Sequence, residues 1–218
     1  MQYENPRFAV QEEVGQAFCD MRVEAAKSGI AICPISSFRD FASQLKIWNR
    51  KFSGERPLYG RNGQAIDASR LSQREVIAHI LIWSALPGAS RHHWGTDIDV
   101  VDRAAISAEY FVQLLPEEFR EGGPFYRMHL WLEENMIRFG FYRPYRGKDG
   151  GVAAEPWHIS YGKIAARALS SLKLETLRQV VEESELTGKE AVLEMLPAIY
   201  RKYVINVESF CSAVDFTK

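Results

Sequence analysis

The chain has 218 residues, 46% hydrophobic and 25% charged, which is enough to bury a substantial core and excludes a disordered polymer. A formal net charge of -1 leaves no general basic field, so nucleic acid and anionic lipid are not expected partners. Three cysteines, Cys19, Cys33 and Cys211, have no close pair spacing; this excludes a disulfide framework or a cysteine zinc knuckle and predicts reduced, partly buried thiols.

In chain order, the opening MQYENPRFAV lacks the charged and apolar segments of a secretory signal, and no apolar run reaches the roughly 20 residues of a membrane span. A cytoplasmic location is the expectation, with the periplasm or release by lysis as alternatives. Val10, Val14, Phe18, Met21 and Ala25 predict an amphipathic helix ended by Ser28-Gly29. Ile30 to Ile35 reads as a strand, after which Ser36-Ser37 are expected to cap a helix from about Phe38 to Asn49. Phe52 to Ser69, with four glycines and prolines, reads as a long irregular loop. A helix from about Ser72 to Leu86 precedes a strand over Thr96 to Val101, where Ile98 and Val100 face the core and Asp97 and Asp99 share the other face. Tyr126 to Phe139 is helical and stops at Gly140. Phe141 to Arg143 and Trp157 to Tyr161 read as strands joined through a turn at Lys148-Asp149-Gly150-Gly151. Everything after Gly162 is helical, with a break at Thr187-Gly188. Helices and a small antiparallel sheet in irregular alternation predict an α+β fold.

Chemistry concentrates in two places. Ser90-Arg91-His92-His93-Trp94-Gly95-Thr96-Asp97-Ile98-Asp99 carries two imidazoles and two carboxylates, and Glu155-Pro156-Trp157-His158 adds another of each. Catalytic zinc takes three protein ligands of N and O type, leaves one position to water, and works beside a carboxylate that accepts the water's proton. The two segments supply that set. If His158 is a ligand, Glu155 three residues earlier reaches the water. By composition His93 and Asp97 are an eligible ligand pair as well. Arg39 by itself reads as a solvated helix residue, and Ser90 as either a turn cap or a substrate contact. His79 and His129 fall inside amphipathic helices and read as structural, while Trp94 and Trp157 read as walls.

These segments resemble the hedgehog-like zinc metallopeptidases, the family of VanY-type D-alanyl-D-alanine carboxypeptidases and VanX-type D-Ala-D-Ala dipeptidases. The likeness lies in S-x-H-x-x-G-x-x-x-D over Ser90 to Asp99 and in E-x-W-H over Glu155 to His158. It extends to Ser37-Phe38-Arg39 with Gln44, which is similar to S-x-Y/F-R-x4-Q, and covers about Ile30 to Tyr161. The resemblance implies one Zn2+ ion held by His92, Asp99 and His158 on a small antiparallel sheet flanked by helices. It implies Glu155 as general base, Arg39 over the scissile carbonyl or the substrate carboxylate, and Gln44 and Ser90 as substrate contacts, with His93 and Asp97 in supporting positions. The implied reaction removes the terminal D-alanine from peptidoglycan-type peptides. An L,D-carboxypeptidase, a D-Ala-D-Ala dipeptidase or an endopeptidase would use the same chemistry, and a zinc-binding module without turnover is the alternative of another class. Many members have Ala in place of Asp97, so an extra carboxylate either sits beside the metal or binds a neighbouring arginine. The expected organisation is a catalytic domain over 1–162 and a helical extension over 163–218 packed on or next to it. The apolar stripe of that extension also admits a homodimer.

Overall fold

The computed structural model describes residues 1–147 and 150–210. Lys148 and Asp149 of the expected turn, Cys211 and the tail to Lys218 lie outside them. The chain opens with a hairpin of β1 (Gln2–Glu4) and β2 (Arg7–Ala9). Then come α1 (Glu12–Ala26), β3 (Ile32–Ser36) and α2 (Phe41–Phe52). A second small hairpin, β4 (Leu58–Tyr59) with β5 (Ala65–Ile66), precedes α3 (Gln73–Trp83) and β6 (Asp97–Asp102). The remainder is α4 (Tyr126–Asn135), β7 (Phe141–Tyr142), β8 (His158–Tyr161), α5 (Gly162–Ser171), α6 (Leu174–Glu183) and α7 (Lys189–Ile199).

Local chemistry explains most of these boundaries. α1 buries Val14, Phe18, Met21 and Ala25 on one face, as their spacing predicts. Ser72 caps α3 in a reciprocal pair with Glu75. α2 departs from expectation: it starts at Phe41, and its cap is Asp40, whose carboxylate accepts the Ser43 N–H at 2.7 Å. Ser36 and Ser37 are spent elsewhere, because Ser36 Oγ accepts from Arg39 and Ser37 Oγ accepts the Ala9 N–H. The two hairpins were not expected, since strands of two or three residues carry no alternation to read.

The central sheet is antiparallel, in the order β3-β6-β8-β7. Its register sets Asp97 opposite Ser160, Ile98 opposite Ile159 and Asp99 opposite His158. Side chains alternate between faces, so Asp97, Asp99, His158 and Ser160 share one face, and Ile98, Val100 and Ile159 the other. The apolar face joins Phe18 and Met21 of α1 and Met128 and Leu132 of α4 in one core. A second core gathers Trp48 of α2 and Ile77 and Ile80 of α3 with Leu177, Val181, Val192 and Leu196 of α6 and α7. Between the polar face of the sheet and the α2–α3 pair lies a cleft of about 300 Å³. Among the described residues no helix is long and apolar enough to cross a membrane, and Cys19 and Cys33 are free thiols.

Candidate active site

His92, Asp99 and His158 come together on the floor of the cleft. His92 stands on the short turn Arg91–Trp94, which closes at Gly95 with φ of 67°, a left-handed conformation that glycine adopts without strain. A side chain there would also crowd the Gln11 amide at 3.3 Å. Both imidazoles have one ring nitrogen engaged from behind. His92 Nδ1 donates to the Ser37 carbonyl at 2.8 Å, leaving Nε2 facing Asp99 Oδ2 at 3.3 Å. His158 Nε2 donates to Asp97 Oδ1 at 2.8 Å, leaving Nδ1 facing Asp99 Oδ1 at 2.9 Å. One donor atom from each of the three residues lies within 4.8 Å of the others. Ligands about 2.1 Å from a tetrahedral ion stand roughly 3.4 Å apart, close to the two His–Asp separations, so this N,N,O set suits zinc.

Behind the triad sits a buried ion pair. Arg91 Nε donates to Asp97 Oδ1 at 2.8 Å, and both side chains are almost wholly excluded from solvent. Asp97 also accepts from Ser160 Oγ at 3.1 Å and from Thr96 Oγ1. Burial opposes ionisation of Asp97 and Asp99, but the charges and hydrogen bonds of Arg91, His92 and His158 outweigh it and hold both carboxyls well below the usual range. Burial likewise opposes charge on His158, yet Asp97 and Asp99 hold its pKa up at about 10. An imidazole held between two carboxylates is a position a metal cation would take over with release of that proton.

Glu155 and Arg39 face this group. Glu155 Oε2 is 3.7 Å from His158 Nδ1, and burial with the neighbouring Asp99 charge pushes its carboxyl up to about 8 against the pull of His158, Lys51 and Arg39. Arg39 lines the cleft, with NH1 donating to Gln44 Oε1 and NH2 to Ser36 Oγ, each at 2.8 Å. Gln44 is thus one layer back: its amide is spent between Arg39 and the Ala85 carbonyl, and it does not line the cleft. Ser90 lines the cleft, and its side chain does not cap the turn. His93 is a strut, donating from Nδ1 to the Arg39 carbonyl at 2.6 Å and accepting the Gly88 N–H on Nε2 at 3.2 Å. Trp157 stacks on Trp83 at 6.1 Å as a wall. The structure adds Lys51, Tyr145, Trp83 and Leu114 to the lining. None stood out in the sequence, because none belongs to a cluster of metal-binding residues.

Comparison with known proteins converges on one family. The model for VanY, D-alanyl-D-alanine carboxypeptidase, matches residues 7–164. An Enterococcus faecalis D-alanyl-D-alanine carboxypeptidase is 36% identical over 150 residues, spanning 67% of this chain and 46% of that protein. An uncharacterised Haemophilus influenzae protein is 33% identical over 122 residues, spanning 55% of this chain and 93% of its own length. Two solved structures share the fold. VanYB in complex with D-Alanine-D-Alanine has a TM-score of 0.55 at 22% identity, covering 85% of this chain and 88% of that one. A mutant VanY from a VanB-type resistance cassette in complex with Zn(II) has a TM-score of 0.54 at 23% identity, covering 81% and 87%.

Proposed function

The chain belongs to the VanY D-alanyl-D-alanine carboxypeptidase family, and we propose that it is a zinc-dependent carboxypeptidase removing the terminal D-alanine from peptidoglycan-type peptides. The observation that carries this reading is the convergence of His92 Nε2, Asp99 and His158 Nδ1, with Glu155 beside them, in a cleft that also holds Arg39. Those three residues would hold the ion. Zinc at that position supplies Lewis acidity, lowering the pKa of a water and polarising an amide carbonyl.

The rest of the chemistry belongs to the chain. Glu155, as carboxylate, takes a proton from the attacking water while the new C–O bond forms at the scissile carbonyl. The Arg39 guanidinium is permanently charged and is steadied by Gln44 and Ser36, so it faces the developing oxyanion without having to reorganise. Glu155 then returns its proton to the amine nitrogen as the C–N bond breaks. Asp97 keeps His158 oriented with Nδ1 towards the site. Ser90 lines the same cleft, which supports a role in contacting the peptide.

The test is mass spectrometry of peptides incubated with zinc-loaded protein: a pentapeptide ending in D-Ala-D-Ala, the matching tetrapeptide and free D-Ala-D-Ala, with Glu155→Ala as control. Loss of one alanine from the pentapeptide alone is the expected result. Cleavage of the tetrapeptide alone would make it an L,D-carboxypeptidase, cleavage of the dipeptide alone a dipeptidase, and an internal cut an endopeptidase. Intact peptides with zinc bound would overturn the carboxypeptidase reading and leave an endopeptidase of cross-linked peptides or a zinc-binding module.

A further inference from the structure

We propose that Lys51 is a second anion-recognising residue of the cleft and binds a carboxylate of the peptide substrate. The inference rests on the peptidase reading above. α2 runs along the cleft, and Gln44, Ile47 and Lys51 fall on one strip of it at helical spacing. Gln44 supports Arg39 at one end, while Lys51 lies two turns on, about 10 Å along the helix axis. Arg39 and Lys51 thus line one cleft, whose lining also includes Ile47 and Arg56.

Lysines on amphipathic helices normally extend the ammonium into water. Lys51 instead lies inward at the end of α3, where Nζ donates to Ser84 Oγ at 2.6 Å. Among the described residues no carboxylate stands within 4.0 Å of it, and the serine occupies one of its three N–H donors. Burial pulls its pKa down to about 8; the Glu155 charge opposes that pull, and Arg56 and Arg39 add to it. A partly buried ammonium with free donors and no carboxylate within ion-pair distance among the described residues invites a carboxylate from a ligand, through short charge-assisted hydrogen bonds. Ser84 holds the group in place without neutralising it. A peptide substrate offers two sources of that carboxylate: its terminal α-carboxylate, or a free carboxylate on a residue before the scissile bond.

The experiment compares the zinc-loaded wild type, Lys51→Met and Lys51→Arg on three versions of the cleaved peptide: the free acid, its C-terminal amide, and the analogue with the internal carboxylate amidated. Lys51→Met is expected to raise KM for the free acid roughly 10- to 100-fold with kcat nearly unchanged, the size of a lost hydrogen bond to a charged group. Lys51→Arg should recover most of that loss. The penalty should vanish on one amidated peptide, and whichever it is identifies the carboxylate. A penalty of equal size on all three peptides, or none on any, overturns the assignment. If the wild type cleaves nothing, the peptidase reading fails by itself. Lys51 is then judged by calorimetric binding of the same peptides: binding of the acid form weakened in Lys51→Met supports the site, and unchanged binding overturns it.

Discussion

Replacing Asp97 by Asn separates two roles that one carboxylate performs. In the folded chain it accepts from Arg91 Nε and from His158 Nε2, each at 2.8 Å, with no exposure to solvent. The substitution keeps a carbonyl oxygen but removes the charge, leaving the Arg91 guanidinium buried without its counter-ion. Breaking a buried pair in this way costs about 3–5 kcal/mol. For a chain of this size each kcal/mol moves the melting temperature by about 2–4 °C, so a fall of roughly 6–20 °C is expected in scanning fluorimetry. Loss of the negative charge behind the His158 ring, which leaves a weaker acceptor for Nε2, should also weaken zinc binding about 10- to 100-fold, measured by chelator competition well below the melting transition. The double variant Arg91→Met with Asp97→Leu discriminates between the roles. Replacing both partners by apolar groups removes the orphaned charge, so stability should largely return while zinc affinity stays low. Native zinc affinity in Asp97→Asn would refute the reasoning and reduce Asp97 to a counter-ion for Arg91.

Three further outcomes follow from the same geometry. Glu155→Ala should retain zinc by elemental analysis and lose about 10²- to 10⁴-fold in turnover, whereas His158→Ala should lose both; a fully active Glu155→Ala removes the general base from the mechanism. Gly95→Ala should cost about 1–2 kcal/mol by forcing a side chain into φ of 67° against the Gln11 amide, seen as a melting point lower by several degrees; an unchanged melting point would show that the turn relaxes freely. With Lys51 lowered to about 8, its charge is present below that pH and lost above it, so KM for the free-acid peptide should climb as pH rises through 8, in a cleft where Glu155, Arg56 and Arg39 also act on it. In Lys51→Arg that climb should disappear, because guanidinium does not titrate there; an identical profile in both proteins would assign the transition to another group.

The site was legible where its chemistry is local and hidden where it depends on distant pairing. Period-two alternation over Thr96 to Val101 placed Asp97 and Asp99 on one face, and β6 shows them there. That His158 stands directly opposite Asp99 depends on β6 pairing with β8, a contact between residues 59 apart in sequence that no local pattern encodes. The N-cap of α2 was misread because Ser36, Ser37 and Asp40 are all competent caps, and the choice is made by Arg39 and Ala9 claiming the two hydroxyls. Lys51 reads as an ordinary solvated helix lysine. Its inward course is fixed by Ser84 at the end of α3, which the helix cannot announce. The partner of Asp97 was foreseeable only as some nearby arginine, and the turn ending at Gly95 is what makes it Arg91.

The helices after Gly162 bear on the cleft through α2. The strip of α2 next to Gln44 and Lys51 carries Trp48, fully buried among residues of α3, α6 and α7. Its indole N–H donates to the Thr187 carbonyl at 3.1 Å, and Asn49 bonds twice to the same connection: its Nδ2 donates to the Glu185 carbonyl and its Oδ1 accepts the Thr187 N–H, each at 2.9 Å. A tryptophan buries about 150–250 Å², worth roughly 4–6 kcal/mol at about 25 cal/mol per Å². Without α6 and α7, α2 would lose part of that burial and its grip on the connection between them. The orientation of α2 decides where Gln44 holds Arg39 and where Lys51 meets Ser84. On this reasoning the C-terminal helices act as a buttress that keeps the two cations of the cleft aimed at whatever lies over the triad.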